Sequence, residues 1–134
     1  MRDQRDLFHL AIPVYDLDET VAFYVSGLGC KLARRYDDRV TLDFFGDQLV
    51  CHLTERPSEQ FELTLYPRHF GDTFRERRDF DQLLDLCRQR RLPTFSEVVS
   101  RFVGLVEVHD TFVLRDPSDN LLEFKYYDNP RMMY

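Results

Sequence analysis

"LFHLAIPVYDLDETVAFYVSGLG", residues 7–29, joins an apolar run to a helical one, and the reading of that junction decides the rest of the chain. Residues 7–14 form an apolar stretch interrupted by His9 and closed at Pro13, which predicts a buried strand. From residue 16 the period changes: Leu17, Val21, Tyr24 and Leu28 recur at helical spacing up to Gly27 and Gly29. Asp16 or Asp18 can cap this helix, and Glu19 stands three residues after Asp16.

Three strands are expected next. "CKLARRYDD" (30–38) and "RVTLDFFG" (39–46) read as a hairpin or meander, with Val40, Leu42 and Phe44 alternating with Thr41 and Asp43. "DQLVCHLT" (47–54) enters through a turn at Gly46-Asp47. "ERPSEQ" (55–60) has linker composition, and "FELTLY" (61–66) is a short strand or an extended connector. The pattern then restarts. "RHFGDTF" (68–74) resembles a strand with a His near its start, and "DFDQLLDLCRQRR" (79–91) places Phe80, Leu83, Leu84 and Cys87 on one helix face. "TFSEVVSRF" (94–102), "VHDTFVLRD" (108–116) and "NLLEFKYY" (120–127) predict three further strands. Strand–helix–three strands thus occurs twice, which is internal duplication. The expected organisation is one α+β domain over residues 1–134: a first βαβββ module at 7–54, a connector at 55–68 and a second module at 69–127.

Composition narrows the function classes. The chain has 134 residues and a net charge of −6, which argues against a nucleic-acid surface. "RERR" (75–78) and "RQRR" (88–91) flank a helix and read as its solvated face. Cys30, Cys51 and Cys87 form no CxxC and cannot all pair internally, the pattern of reduced thiols in a cytoplasmic protein. "MRDQRDLFHL" at the N-terminus reads as neither a signal peptide nor a membrane span.

Four polar residues stand among apolar neighbours: His9, His52, His69 and Glu123. Singly, each has an ordinary reading. A histidine can be bonded to nearby backbone, and Glu123 can pair with Arg101 or Arg115. Together they suggest more. His9 and His69 open matching strands, and Glu123 lies in the last strand of the second half. If these strands line one concave sheet, two imidazoles and a carboxylate form a facial triad suited to Fe(II), though the same set holds Zn, Ni or Mn.

These stretches carry a resemblance. "FHLAIPVYDLDETVAFYVSGLGC" and "FVLRDPSDNLLEFKYY" are similar to the opening strand–helix and the closing "DP.GN..E" hairpin of the vicinal oxygen chelate superfamily, with Asp119 where Gly is usual. That superfamily includes glyoxalase I, bleomycin-resistance proteins and extradiol dioxygenases. "DFFG.QLV.HL" and "HFG" bring the likeness closest to small proteins grouped with the extradiol dioxygenases. The resemblance implies two βαβββ modules forming an open, curved mixed β-sheet barrel. It places metal ligands at His9 on the first strand, His69 opening the fifth and Glu123 on the eighth. A fourth ligand from the fourth strand, where His52 is the candidate, occurs in glyoxalase-like members; a gap-free comparison of "GDQLVCHL" with "SDNLLEFK" instead sets Cys51 opposite Glu123. Extradiol enzymes usually carry four modules. Two is the number in glyoxalase and bleomycin-resistance subunits, which commonly dimerise, so a homodimer is implied.

With Fe(II) the set would support ring cleavage of a catechol-like aromatic by O₂. His109 is then the candidate acid/base, Tyr126 a hydrogen-bond donor to a bound oxygen, and Arg101 a fork for a substrate carboxylate, with His52 lining the pocket. The alternatives are a glyoxalase-like lyase or isomerase, which prefers a fourth-strand Glu lacking here, and a non-catalytic ligand-binding protein of the resistance type.

Overall fold

The structure is a computed structural model that describes residues 3–134. It divides into two compact units, Met1–Gln60 and Phe61–Tyr134, and the division falls in the stretch of sequence expected as a connector.

The first unit runs β1 (His9–Val14), α1 (Leu17–Val21), β2 (Lys31–Arg35), β3 (Arg39–Phe44) and β4 (Asp47–Leu53). Its sheet has the order β1-β4-β3-β2, with β1 parallel to β4 and the other pairs antiparallel. Parallel pairing follows from the helical crossover after β1, and antiparallel pairing from the short turns among β2, β3 and β4. Asp16 is the cap: its Oδ1 accepts the Glu19 backbone N–H at 2.8 Å. The helix predicted over 16–29 is α-helical only to Val21, after which Ala22–Gly27 forms a wider π-helical turn. There the Leu28 N–H donates to the Phe23 carbonyl five residues back at 2.9 Å. Of the apolar stripe, Leu17, Tyr24 and Leu28 are buried and Val21 is half-buried, and Val14, Val40, Leu42 and Leu49 of the strands are buried as well.

The second unit repeats the order as β5 (Thr73–Phe74), α2 (Arg77–Gln89), β6 (Thr94–Arg101), β7 (His109–Arg115) and β8 (Leu121–Tyr127), with sheet order β5-β8-β7-β6. Phe80 of α2 meets Phe112 of β7 at a ring separation of 5.3 Å, and Phe112 stacks on Phe124 of β8 at 5.2 Å. Arg77 ties the helix start to the sheet, donating to Asp81 at 2.9 Å and to Asp110 at 2.7 Å. The helix ends two residues before the predicted Arg91, which itself adopts a left-handed φ of 53° ahead of Pro93.

One element is shorter than expected. The strand predicted from residue 68 is regular only over Thr73–Phe74, although Phe70 makes an isolated parallel bridge to Leu122. Residues 61–66 form no strand. Both sheets are open and mixed, and together with the helices they give an α+β fold. No helix among the described residues is long and apolar enough to cross a membrane.

Candidate functional site

Side chains alternate across a strand, so each face of β8 is set by parity. Leu122, Phe124 and Tyr126 share one face, where Phe124 and Tyr126 meet the rings of α2 and its neighbours. Leu121, Glu123, Lys125 and Tyr127 share the other. Cross-strand pairing sets Glu123 beside Val113, Lys125 beside Thr111 and Tyr127 beside His109.

The Glu123 side chain is 2% exposed. Its Oε1 accepts the Thr111 hydroxyl at 2.8 Å. Its Oε2 takes no hydrogen bond of good geometry, yet lies 3.0 Å from His69 Nε2 and 3.1 Å from Lys125 Nζ. Burial pushes this carboxyl upward; the Thr111 hydroxyl, the Lys125 ammonium and His69 outweigh that and hold it below the usual glutamate value. It is therefore an anion at neutral pH.

The backbone before β5 delivers His69 to this carboxylate. The Glu123 N–H donates to the Phe70 carbonyl at 2.7 Å, and the Phe70 N–H to the Leu121 carbonyl at 3.1 Å. Gly71 lies so close to β8 that a Cβ there would sit 1.9 Å from the Glu123 carbonyl oxygen. His69 Nδ1 is 2.9 Å from the Leu65 carbonyl oxygen. A carbonyl only accepts, so Nδ1 carries a proton. Neutral His69 then turns the lone pair of Nε2 toward a carboxylate oxygen, which is repulsive unless a proton or another cation stands there. A histidine with Nδ1–H held by a backbone carbonyl and Nε2 turned toward a carboxylate oxygen is also an arrangement open to a metal ligand. The donor set, one imidazole nitrogen and one buried carboxylate oxygen, fits a divalent cation. Among the described residues, no three His, Cys, Asp or Glu side chains gather to hold a metal, so His69 and Glu123 stand as a pair.

Further along the same face, Arg101 pairs with His109 across β6 and β7, and His109 with Tyr127 across β7 and β8. The His109 ring stacks on Tyr127 at 4.4 Å, and its Nδ1 donates to the Glu107 carbonyl at 3.0 Å. The Arg101 Nε is buried with no hydrogen-bond partner among the described residues. This row lies four residues from Glu123, about 13 Å along the strand.

In the first unit, His9 is exposed and its Nδ1 lies 2.7 Å from Gln48 Oε1. It shares a face with Ala11 and Pro13 of β1 and with Gln48, Val50 and His52 of β4. Cys51 points the other way and is fully buried. His52 is exposed, opposite Pro13 and Arg39.

The family model of the Glyoxalase/Bleomycin resistance protein/Dioxygenase superfamily matches residues 6–124. The chain belongs to the glyoxalase/bleomycin resistance protein/dioxygenase superfamily. It is similar along its entire length to a glyoxalase/bleomycin resistance protein/dioxygenase from Alicyclobacillus acidocaldarius, at 61% identity, TM-score 0.93 and full coverage of both chains. It shares its fold with lactoylglutathione lyase from Agrobacterium tumefaciens at 15% identity and TM-score 0.67, covering 90% of this chain and 92% of that one. The same holds for TioX from Micromonospora sp. ML1, at 16% identity, TM-score 0.68, and 91% and 98% coverage. No curated protein matches.

Within this glyoxalase-superfamily chain, strand register decides which residues of the two modules correspond. His9 pairs with Gln48 and Leu10 with Leu49, whereas Phe70 pairs with Leu122. Val50 therefore answers to Glu123, Cys51 to Phe124, and His52 to Lys125. The gap-free comparison that set Cys51 opposite Glu123 is off by one residue, because the turns before β4 and β8 differ in length. Tyr126 lies on the helix face, 6.5 Å from Phe80, and takes no part in the site proposed below. Lys125 and Gly71 were not anticipated, although Lys125 shares the parity of Glu123. Asp119, where the family usually has Gly, sits at a left-handed φ of 67° and is held by Arg115, whose Nε and Nη2 lie 2.9 and 2.6 Å from its Oδ1.

Proposed function

We propose that this chain is a divalent-metal-dependent enzyme acting on a small molecule that presents two adjacent oxygens, with O₂-dependent cleavage of a catechol-like aromatic as its reaction. The observation that carries the metal is the His69–Glu123 pair: Nε2 and the buried Oε2 are 3.0 Å apart, with Nδ1–H anchored on Leu65. His69 and Glu123 would hold the ion. Fe(II) is favoured, with Zn, Ni or Mn accepted by the same donors. A bound divalent metal supplies Lewis acidity and a template that brings substrate oxygens together.

The chain's own residues supply the rest. Leu65 accepts from Nδ1 and fixes the His69 ring, so that Nε2 is turned toward the ion position. Thr111 occupies Oε1 and leaves Oε2 for the ion. At the other end of the face, Arg101 presents a guanidinium with an unsatisfied Nε, suited to a substrate carboxylate. His109, buried beside it, is the proposed proton carrier for the distal part of the substrate. Val50 at the fourth-strand position cannot serve as a ligand, which favours this reading over a glyoxalase-like proton transfer needing a carboxylate there.

The proposal includes a homodimer in the cytoplasm. The connection from β6 to β7 exposes Phe102, Val103, Leu105 and Val106, an apolar cluster of the kind that marks an interface. Cys30, Cys51 and Cys87 are buried and form no disulfide with one another, as suits a reducing compartment.

The test is elemental analysis of chelator-free protein, followed by oxygen consumption of the iron-loaded protein against a catechol panel. Oxygen uptake with a yellow ring-opened product supports the reading. Iron-loaded protein that consumes no oxygen with any catechol overturns the dioxygenase assignment.

A further inference from the structure

Lys125 introduces a second cation where the proposed function requires one. Its Nζ lies 3.1 Å from Glu123 Oε2, the same oxygen that faces His69 Nε2 at 3.0 Å. The other oxygen, Oε1, is engaged by the Thr111 hydroxyl. The ammonium is reached from within the sheet: Lys125 is two residues beyond Glu123 on the same strand face, and its side chain is 28% exposed against 2% for Glu123.

We infer that Lys125 is the built-in counter-cation of this site, which neutralises Glu123 when no metal is bound and holds down the site's affinity for divalent cations. The inference rests on the metal reading of the His69–Glu123 pair. A metal held by Oε2 would share that oxygen with the ammonium, which now stands 3.1 Å from it. Two cations sharing one oxygen of a carboxylate shielded from water repel each other. Entry of the metal therefore requires the ammonium to leave Oε2, and the loss of that ion pair opposes binding. Without such a cation, the buried carboxylate would keep only the Thr111 hydroxyl and His69 as partners whenever the metal was absent. Lys125 thus compensates the carboxylate of the metal-free chain, at a cost in metal affinity. The counterpart in the first module, His52, has Val50 rather than a carboxylate two residues before it, so the arrangement belongs to the second module alone.

The experiment is titration of the full chain with Co²⁺ and with Mn²⁺, followed by calorimetry and, for cobalt, by visible absorption. Wild type is compared with Lys125→Met, Lys125→Gln and Lys125→Arg, each first checked for cooperative unfolding. The expected result is that Lys125→Met binds about tenfold tighter or more. Lys125→Gln, which keeps a hydrogen-bond donor and loses the charge, follows it and serves if the methionine variant fails to fold. Lys125→Arg, which keeps the charge, stays within about threefold of wild type. Wild type that binds metal while folded Met and Gln variants bind equally or more weakly overturns the inference and leaves the metal reading standing. Binding by the Met or Gln variant with none by wild type supports the inference and overturns the metal reading for the natural chain. No binding by any variant overturns both.

Discussion

Ala11 and Gly71 hold the same place, two residues after the histidine that opens each module, and the two modules treat that place differently. In the first, β1 runs regularly beside β4 and Ala11 pairs with Val50. In the second, the backbone at Gly71 presses so closely on β8 that no side chain fits. The residue facing it changes as well, from apolar Val50 to the buried anion Glu123. The second module gives up six residues of regular opening strand for two, and gains a histidine and a carboxylate in contact. One frame thus carries packing in one copy and candidate chemistry in the other, as expected when a site is grafted onto a repeated scaffold.

The sharpest way to break this comparison is to exchange the paired residues. Gly71→Ala is expected to lower stability by about 3 kcal/mol or more, because the new methyl meets backbone rather than a movable side chain. Ala11→Gly should cost about 1 kcal/mol or less. Denaturant titration of both reads the difference, and equal losses would show that the close approach at Gly71 is unimportant. Val50→Glu tests the other half of the comparison. Placing a carboxylate at this buried position, where no ammonium stands on the strand face, should cost about 2–3 kcal/mol at neutral pH, with partial recovery at acid pH once the group is protonated.

The helices sharpen the comparison with smaller effects. Burial pushes the Cys87 thiol of α2 up to about 11 from an ordinary 9.0, against the lowering pull of the Arg90 charge. The folded state therefore holds this proton more tightly than the unfolded chain. Its contribution to stability is complete below pH 9 and is lost as pH rises toward 11, by about 2 kcal/mol. The stability difference between wild type and Cys87→Ala should shrink over that window, and a constant difference would contradict the assignment. Smallest are the caps. Asp16→Ala removes the hydrogen bond to Glu19 and should cost about 1 kcal/mol, whereas Glu76, at the N-cap of α2, makes no side-chain cap bond and its alanine variant should cost only a few tenths, about 0.3 kcal/mol.

Much of this frame was legible before any coordinates. The change of period at Asp16, the apolar stripe of α2 and the alternation in β3 each express one local rule, and each element formed within two or three residues of its expected place. The short opening strand of the second module was not legible, because its pairing depends on a close backbone approach that hydropathy does not register. The π-helical turn after Val21 keeps the same apolar spacing as an α-helix, so the sequence pattern could not separate them. At the candidate site, the residue types were readable and their faces only partly so. Parity along β8 would have set Tyr126 aside and added Lys125. The relation of β4 to β8 needed the pairing register itself, since turns of different length precede the two strands and a slip of one residue puts Cys51 in place of Val50. Arg77, expected on a solvated face, instead joins α2 to β7 through Asp110.

The central claim is that His69 and Glu123 hold a divalent cation, and metal content measures it most directly. Chelator-free wild type should carry about one equivalent of metal per chain, and His69→Ala and Glu123→Ala should each lose it by a factor of about a hundred in affinity while unfolding cooperatively. Stoichiometric metal retained in both folded variants would contradict the account.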